Sequence, residues 1–247
     1  MQSIDRAMTV AHILIENEGS LSITSLSKKC ELPLSTLHRL LKAMIKQGMV
    51  QQDEQTKLYS PGAVWLEYGL KVYDTMDYIS LIRPELERLM REVDESVYLS
   101  KPLETEAIII ERIDSQKNPI RIYDQLGIRI PMHIGAANKA MLAGMSTAQS
   151  KEILMQLLPV EKIPGMQKIL TQIKENGFAI SHGEKTEGTS AIAVPIVDRF
   201  GNVFAALSIG MVTFNLTEER INYLSKKTVE AGNRISGILG SQYNTIR

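Results

Sequence analysis

The side chains best suited to grip nucleic acid cluster in residues 28–46. Arg39 carries the planar fork that donates a bidentate pair to guanine, and His38 and Thr36 have the reach for base edges or phosphate. Ser35 lies beside them on the same polar surface, while Lys42 and the earlier Lys28 suit phosphates. Lys57, in a short hairpin beyond, is a further cation for the same duplex. The segment holds five basic residues (Lys28, Lys29, Arg39, Lys42, Lys46) against one acid, Glu31, a net of +4 in nineteen residues. Over the whole chain 28 basic residues balance 28 acidic ones, so the positive charge is local. The competing reading is an ordinary solvated face on a small helical subdomain.

A second constellation points to a small ligand. Gly135-Ala136-Ala137-Asn138-Lys139 precedes a helix, whose free N–H groups attract anions, and the small side chains let a ligand approach the backbone. On two later strands, alternation puts Ala191 and Ala193 on one face and Ala206, Ser208 and Gly210 on another. Side by side these faces leave a concavity, unless a helix packs closely over them. Both outcomes stay open at this level.

Catalytic chemistry finds less. His182 stands two residues before Glu184, a poor metal signal alone, and His133 reads as a structural histidine. Glu184 and Glu187 offer a carboxylate pair, or a solvated loop beside Gly188. Cys30 falls on the apolar stripe of a short helix, so it reads as core rather than nucleophile. No Walker loop or Gly-x-Gly-x-x-Gly follows a strand. Neither a metal nor a cofactor is expected.

These residues need elements to hold them. A length of 247 residues favours two domains, and 44% hydrophobic with 23% charged residues excludes disordered and collagen-like chains. No apolar run approaches a membrane span, and no basic-then-apolar leader opens the chain, so a cytoplasmic protein is expected. The single cysteine fits a reducing compartment.

Residues 4–16 have helical periodicity. A short helix bearing Ile23, Leu26 and Cys30 follows, and Glu31-Leu32-Pro33 interrupts it. A third helix over residues 35–47 sets Leu37, Leu40, Leu41, Met44 and Ile45 on its core side and ends at Gly48. Residues 49–52 and 57–60 form a hairpin. Helix, sharp turn, amphipathic helix and hairpin together are the winged helix-turn-helix layout.

Residues 63–76 are helical and more apolar than a free linker should be, so they are expected to pack against a partner chain. Pro84 is expected in the first turn of the next helix, over residues 79–93. Strands are expected at 97–101, 107–113, 120–123, 179–182, 190–197 and 203–209. Helices are expected at 139–145, 148–158, 167–175 and from Thr217 to Gly240.

Several ordered motifs carry a resemblance: Leu32-Pro33 before Ser35-Thr36-Leu37-His38-Arg39-Leu40-Leu41, then Gly48-Met49-Val50 and Tyr59-Ser60-Pro61-Gly62. Gly127 to Pro131-Met132-His133, Lys139-Ala140-Met141-Leu142-Ala143, and Glu184 to Gly188 followed by Ala191-Ile192-Ala193-Val194-Pro195 continue it. Arg6-Ala7 and Leu239-Gly240 match the ends. Over nearly the whole chain this resembles the IclR family of bacterial transcriptional regulators.

The resemblance implies an α+β protein with a winged helix-turn-helix over residues 1–60 and a linker dimerisation helix over 61–78. Residues 79–247 would then form a GAF-like effector-binding domain, an antiparallel sheet flanked by helices. It implies operator DNA and a small organic effector as partners, a carboxylate being favoured, in a homodimer that pairs into a dimer of dimers. Repression is the favoured sense. Carried over residue by residue, the effector site would comprise Ala136, Ala137, Ser181, Ala191, Ser208 and Gly210.

Three departures stand out. Asn138 replaces the family's usual glycine before the lysine, Ala191 stands where a cysteine or polar group is common, and Gly210 replaces a frequent serine. A metabolic enzyme with a regulatory N-terminal helical domain is the competing function. A third reading is a DNA-binding protein whose C-terminal domain only oligomerises.

Overall fold

The computed structural model describes residues 2–17, 19–115, 117 and 124–242. Two compact units divide the chain, one up to Asp77 and one from Tyr78 on.

The first unit opens with helices α1 (Gln2–Glu16), α2 (Ile23–Cys30) and α3 (Leu34–Lys46). Ser22 caps α2 by accepting the Ser25 N–H at 3.2 Å, and Glu31 ends it in the left-handed region at φ 54°. The turn is closed by Leu32 N–H donating to the Ser27 carbonyl at 3.1 Å and by the Ser27 hydroxyl donating to the Leu32 carbonyl at 2.6 Å. Pro33 then stands at the N-cap of α3, where its missing N–H costs nothing.

Leu37, Leu41 and Met44 join Val10, Leu14 and Leu26 in the core. Ile45, expected on this side, is exposed, because it sits eight residues beyond Leu37 and has rotated to the edge of the stripe.

The hairpin pairs β1 (Val50–Gln52) with β2 (Tyr59–Pro61) antiparallel, and Tyr59 also bridges Leu21. Gly62 cannot be replaced here: a Cβ would lie 2.0 Å from the Gly48 carbonyl oxygen. The indole N–H of Trp65 donates to the Met49 carbonyl at 2.7 Å, fixing the start of α4 (Val64–Asp74) on the hairpin. Beyond that anchor α4 buries none of its side chains in this chain, and Leu66, Tyr68, Leu70, Val72 and Tyr73 are all exposed.

The second unit is a six-stranded antiparallel sheet in the order β5-β4-β3-β8-β7-β6. Its strands are β3 (Ser96–Leu103), β4 (Glu106–Ile113), β5 (Arg129–Pro131), β6 (Ala179–His182), β7 (Thr189–Val197) and β8 (Val203–Val212). The helices of this unit are α5 (Asp77–Val93), α6 (Ala136–Gly144), α7 (Thr147–Leu157), α8 (Ile163–Asn176) and α9 (Glu218–Gln242).

Alternation gives the sheet two unlike faces. Val97, Leu99, Ile192, Val194, Leu207 and Ile209 pack with Ile82, Leu86 and Leu89 of α5 and Leu224, Ala231 and Ile235 of α9. On the opposite face the small side chains of Ala179, Ala193 and Ala206 receive Ala136, Ala140, Met141 and Ala143 of α6.

Pro84 is the eighth residue of the seventeen-residue α5, not in its first turn. Its fixed φ fits a helix, and the buried row Ile82, Leu86, Leu89 and Val93 holds the helix together across the lost hydrogen bond. The expected strand at 120–123 lies outside the described residues. The short β5 was not anticipated, three residues being too few to display a period.

Candidate functional site

In the first unit, α3 turns a polar face to solvent. Ser35, His38, Arg39 and Lys42 are exposed, and Thr36 is half-buried at the start of the helix. Lys28 is exposed on α2. Lys57 is exposed in the hairpin turn at φ 57°, where the Asp53 carboxylate accepts the N–H of Thr56 at 2.6 Å and of Gln55 at 3.1 Å. Those bonds, with the hydroxyl of Thr56, hold the Asp53 carboxyl below its usual range. The sequence-derived cations and hydroxyls thus fall on one free helix face, its neighbour and the hairpin, the arrangement a major groove accepts.

In the second unit, the two readings of the small-residue faces each hold at one end of α6. Ala193 and Ala206 are covered by the helix and belong to its core. Where α6 begins, Ala191, Ser208 and Gly210 instead border a cavity of about 80 Å³ with Ala136, Ala137 and Ser181, so all six residues carried over from the resemblance line one space. It has room for a few waters or a compact organic molecule.

Backbone geometry sets this up. Gly135 takes φ 84° before α6, and the first-turn N–H groups of Ala136, Ala137 and Asn138 have no acceptor within the helix. Ala136 donates to the Ser181 hydroxyl at 3.1 Å, so Ser181 secures the helix start as well as lining the cavity. Gly135 N–H donates to the Glu184 carboxylate at 2.9 Å, and the other oxygen of Glu184 takes the Lys139 ammonium. Asn138, the departure from the family's glycine, is buried, and its side chain donates to the carbonyls of Ile130 at 3.0 Å and Pro131 at 2.9 Å.

Several lining residues escaped the sequence reading. Tyr98 and Ser100 reach the cavity from β3, and Ile109, Ile130 and Ile134 supply an apolar wall. Alternation along β3 was the available signal: Val97 and Leu99 enter the opposite core, which turns Tyr98 and Ser100 towards α6. Burial foremost, then the nearby Asp124 charge, push the Tyr98 phenol up to about 12.

The candidate catalytic groups do not assemble. Glu187 is exposed and does not line the cavity with Glu184. His182 Nδ1 hydrogen-bonds Ser190 at 2.9 Å, and Ser190 in turn bonds Thr213 at 2.8 Å. His133 has a buried Nδ1 without a partner among the described residues, and burial lowers its pKa. Burial raises that of Cys30, away from a reactive thiolate. No group of three His, Cys, Asp or Glu able to hold a metal occurs among the described residues, and no helix there is long and apolar enough to cross a membrane.

Comparison with known proteins places this geometry. Residues 3–54 match the IclR helix-turn-helix domain, and residues 70–237 match the C-terminal domain of the bacterial transcriptional regulator IclR. The chain is 30% identical to the HTH-type transcriptional regulator KdgR of Escherichia coli over 247 residues, covering 96% of this chain and 94% of that one. It is 29% identical to the HTH-type transcriptional repressor AllR of the same organism, over 97% of this chain and 90% of the repressor. A crystal structure of an IclR homologue complexed with 4-hydroxybenzoate, from Microbacterium hydrocarbonoxydans, shares the fold with a TM-score of 0.79 at 21% identity, over 96% of this chain and 98% of that one. With both domains matched in order along almost the whole length, this chain belongs to the IclR family of bacterial transcriptional regulators, DNA-binding helix-turn-helix proteins rather than enzymes.

Proposed function

We propose that the protein is a repressor that binds operator DNA through α3 as a homodimer, or a pair of homodimers, and senses a small carboxylate in the cavity at the start of α6. Within the chain, residues 1–60 serve as the DNA-binding domain, 61–78 as the dimerising linker and 79–247 as the effector domain. Arg39 reads a base edge, with His38 and Thr36 beside it, and Ser35, Lys28, Lys42 and Lys57 hold phosphates. Such a protein works in the cytoplasm, where its DNA is.

One observation carries the sensing half: a cavity bounded by the first turn of a helix and by Ala191, Ser208 and Gly210 of the sheet. First-turn N–H groups and the positive end of the helix dipole favour an anion, and small residues let it approach. The 4-hydroxybenzoate bound by the Microbacterium homologue, itself a small carboxylate, supports the same class. The dimer is supported by the apolar surface that α4 leaves exposed, and repression by the relative named as a repressor.

Control of DNA binding needs only that the effector prefer one arrangement of the dimer. A differential affinity of about 1 to 3 kcal/mol would change operator affinity reciprocally.

The test is a thermal-melting screen of small carboxylates against the wild type and Ser208→Leu, followed by operator shift assays with each hit. Ser208→Leu should fill the cavity, retain operator binding and lose the ligand response. A variant that melts much earlier yet still responds would place the effector elsewhere.

A further inference from the structure

We propose that Glu184 is a built-in ligand of the effector cavity, which the carboxylate of an incoming effector replaces. The inference rests on the cavity being the effector site and goes beyond it, because it assigns a competitor within the chain.

Three observations carry it. Glu184 lines the cavity and spends one oxygen on the Gly135 N–H and the other on the Lys139 ammonium, so a side-chain carboxylate already sits where the α6 N-terminus attracts an anion. Lys139 is only 7% exposed, and among the described residues Glu184 is its sole ion partner. A buried cation needs an anion, but either carboxylate meets the requirement.

Across the cavity, Ser100 and Ser208 are 4% and 6% exposed and line it with hydroxyls that make no hydrogen bond among the described residues. Both hydroxyls face the open space rather than a protein acceptor, so this wall of the cavity is polar and offers a ligand two free hydrogen-bonding groups.

Glu184 sits on a loop that borders solvent, so its side chain has somewhere to go while Lys185 beside it stays anchored to Asp124. Gly183 and Gly188, at φ 62° and 75°, bracket residues 184–187, which are exposed. Exchange of one carboxylate for another conserves charge at Lys139, so the ammonium is never left bare. Glu184 withdraws to solvent, and the motion of its loop reports that the cavity is occupied. A neutral ligand has no means of displacing it, and the cavity therefore selects carboxylates by competition as well as by attraction.

The experiment titrates the full-length protein with acetate, the fragment common to carboxylate effectors, and with acetamide as its neutral counterpart. Wild type, Glu184→Gln and the double variant Lys139→Met/Glu184→Gln are compared by NMR of labelled probe. Glu184→Gln removes the competitor and leaves Lys139 bare, so it should bind acetate at least about tenfold tighter than wild type. The double variant should lose that gain, and acetamide should show none. Equal or weaker acetate binding by Glu184→Gln, or a gain that survives in the double variant, overturns the proposal.

Should Glu184→Gln fail to fold, hydrogen exchange over residues 183–188 of the wild type decides. It should rise on saturation with acetate, and unchanged exchange overturns the proposal. Neutral compounds that bind in a Ser208→Leu-sensitive way while acetate binds no variant would sink the exchange and spare the effector site. If neither acetate nor any compound binds, both fall.

Discussion

The side-chain amide of Asn138 joins the first turn of α6 to the carbonyl of Pro131 in β5, at 2.9 Å, and reaches the carbonyl of Ile130 as well. A glycine at this position would leave both carbonyls without that donor. Asn138 therefore fixes the wall of the cavity formed by β5 against the helix that supplies its N–H groups. The Pro131 carbonyl keeps the Ile134 N–H, so Asn138→Ala is expected to cost about 0.5 to 1.5 kcal/mol for each hydrogen bond lost rather than the penalty of an orphaned group. Chemical denaturation measures it, and an unchanged midpoint would show that water or a local shift replaces the amide.

DNA recognition is expected to divide between Arg39 and Lys42, both exposed on α3. Arg39→Ala should lose roughly 1 to 3 kcal/mol on the cognate operator and much less on scrambled DNA, as befits a bidentate base contact. Lys42→Ala should weaken all sequences alike and flatten the salt dependence. Shift assays on matched duplexes separate them, and equal loss on both duplexes for Arg39→Ala would remove its base-reading role.

Assembly is expected to depend on α4, where Leu66, Leu70 and Tyr73 recur at helical spacing and are exposed. Leu66→Glu/Leu70→Glu should lower the oligomeric state of the full-length protein in sedimentation experiments while leaving its helix content intact. An unchanged sedimentation profile would locate the interface elsewhere.

Tyr98, whose phenol is pushed up to about 12, should ionise after the exposed tyrosines in a spectrophotometric titration. Folding favours its protonated form, so the associated stability is fully present below the ordinary tyrosine value of about 10 and is lost as pH rises towards 12. Tyr98→Phe should abolish the late-titrating component. A titration curve that is unaltered apart from one fewer ordinary tyrosine would show that Tyr98 meets solvent freely.

Local pattern was enough to set most of the elements and the two surfaces they offer. Leu37, Leu41 and Met44 recur at helical spacing, which buries one side of α3 and frees Arg39 and Lys42 on the other; no distant contact enters that argument. Alternation likewise put Ala191, Ser208 and Gly210 on faces directed at α6, because the strand period is two whatever the strand pairs with. Local rules failed where burial outweighed them. Pro84 lies inside α5 because the row from Ile82 to Val93 packs on the sheet, and a three-residue strand such as β5 exists only through its pairing with β4.

Where packing ends and the cavity begins depends on contacts between elements far apart in the chain. The same small-residue faces are covered by α6 at Ala193 and Ala206 and border the cavity at Ser208. Tertiary structure also decided that Glu184, 45 residues from Lys139, should neutralise it. Charge and spacing along a chain cannot name such a partner, since an ion pair is chosen by distance in space and by the need of a buried ammonium for a carboxylate that the fold brings near.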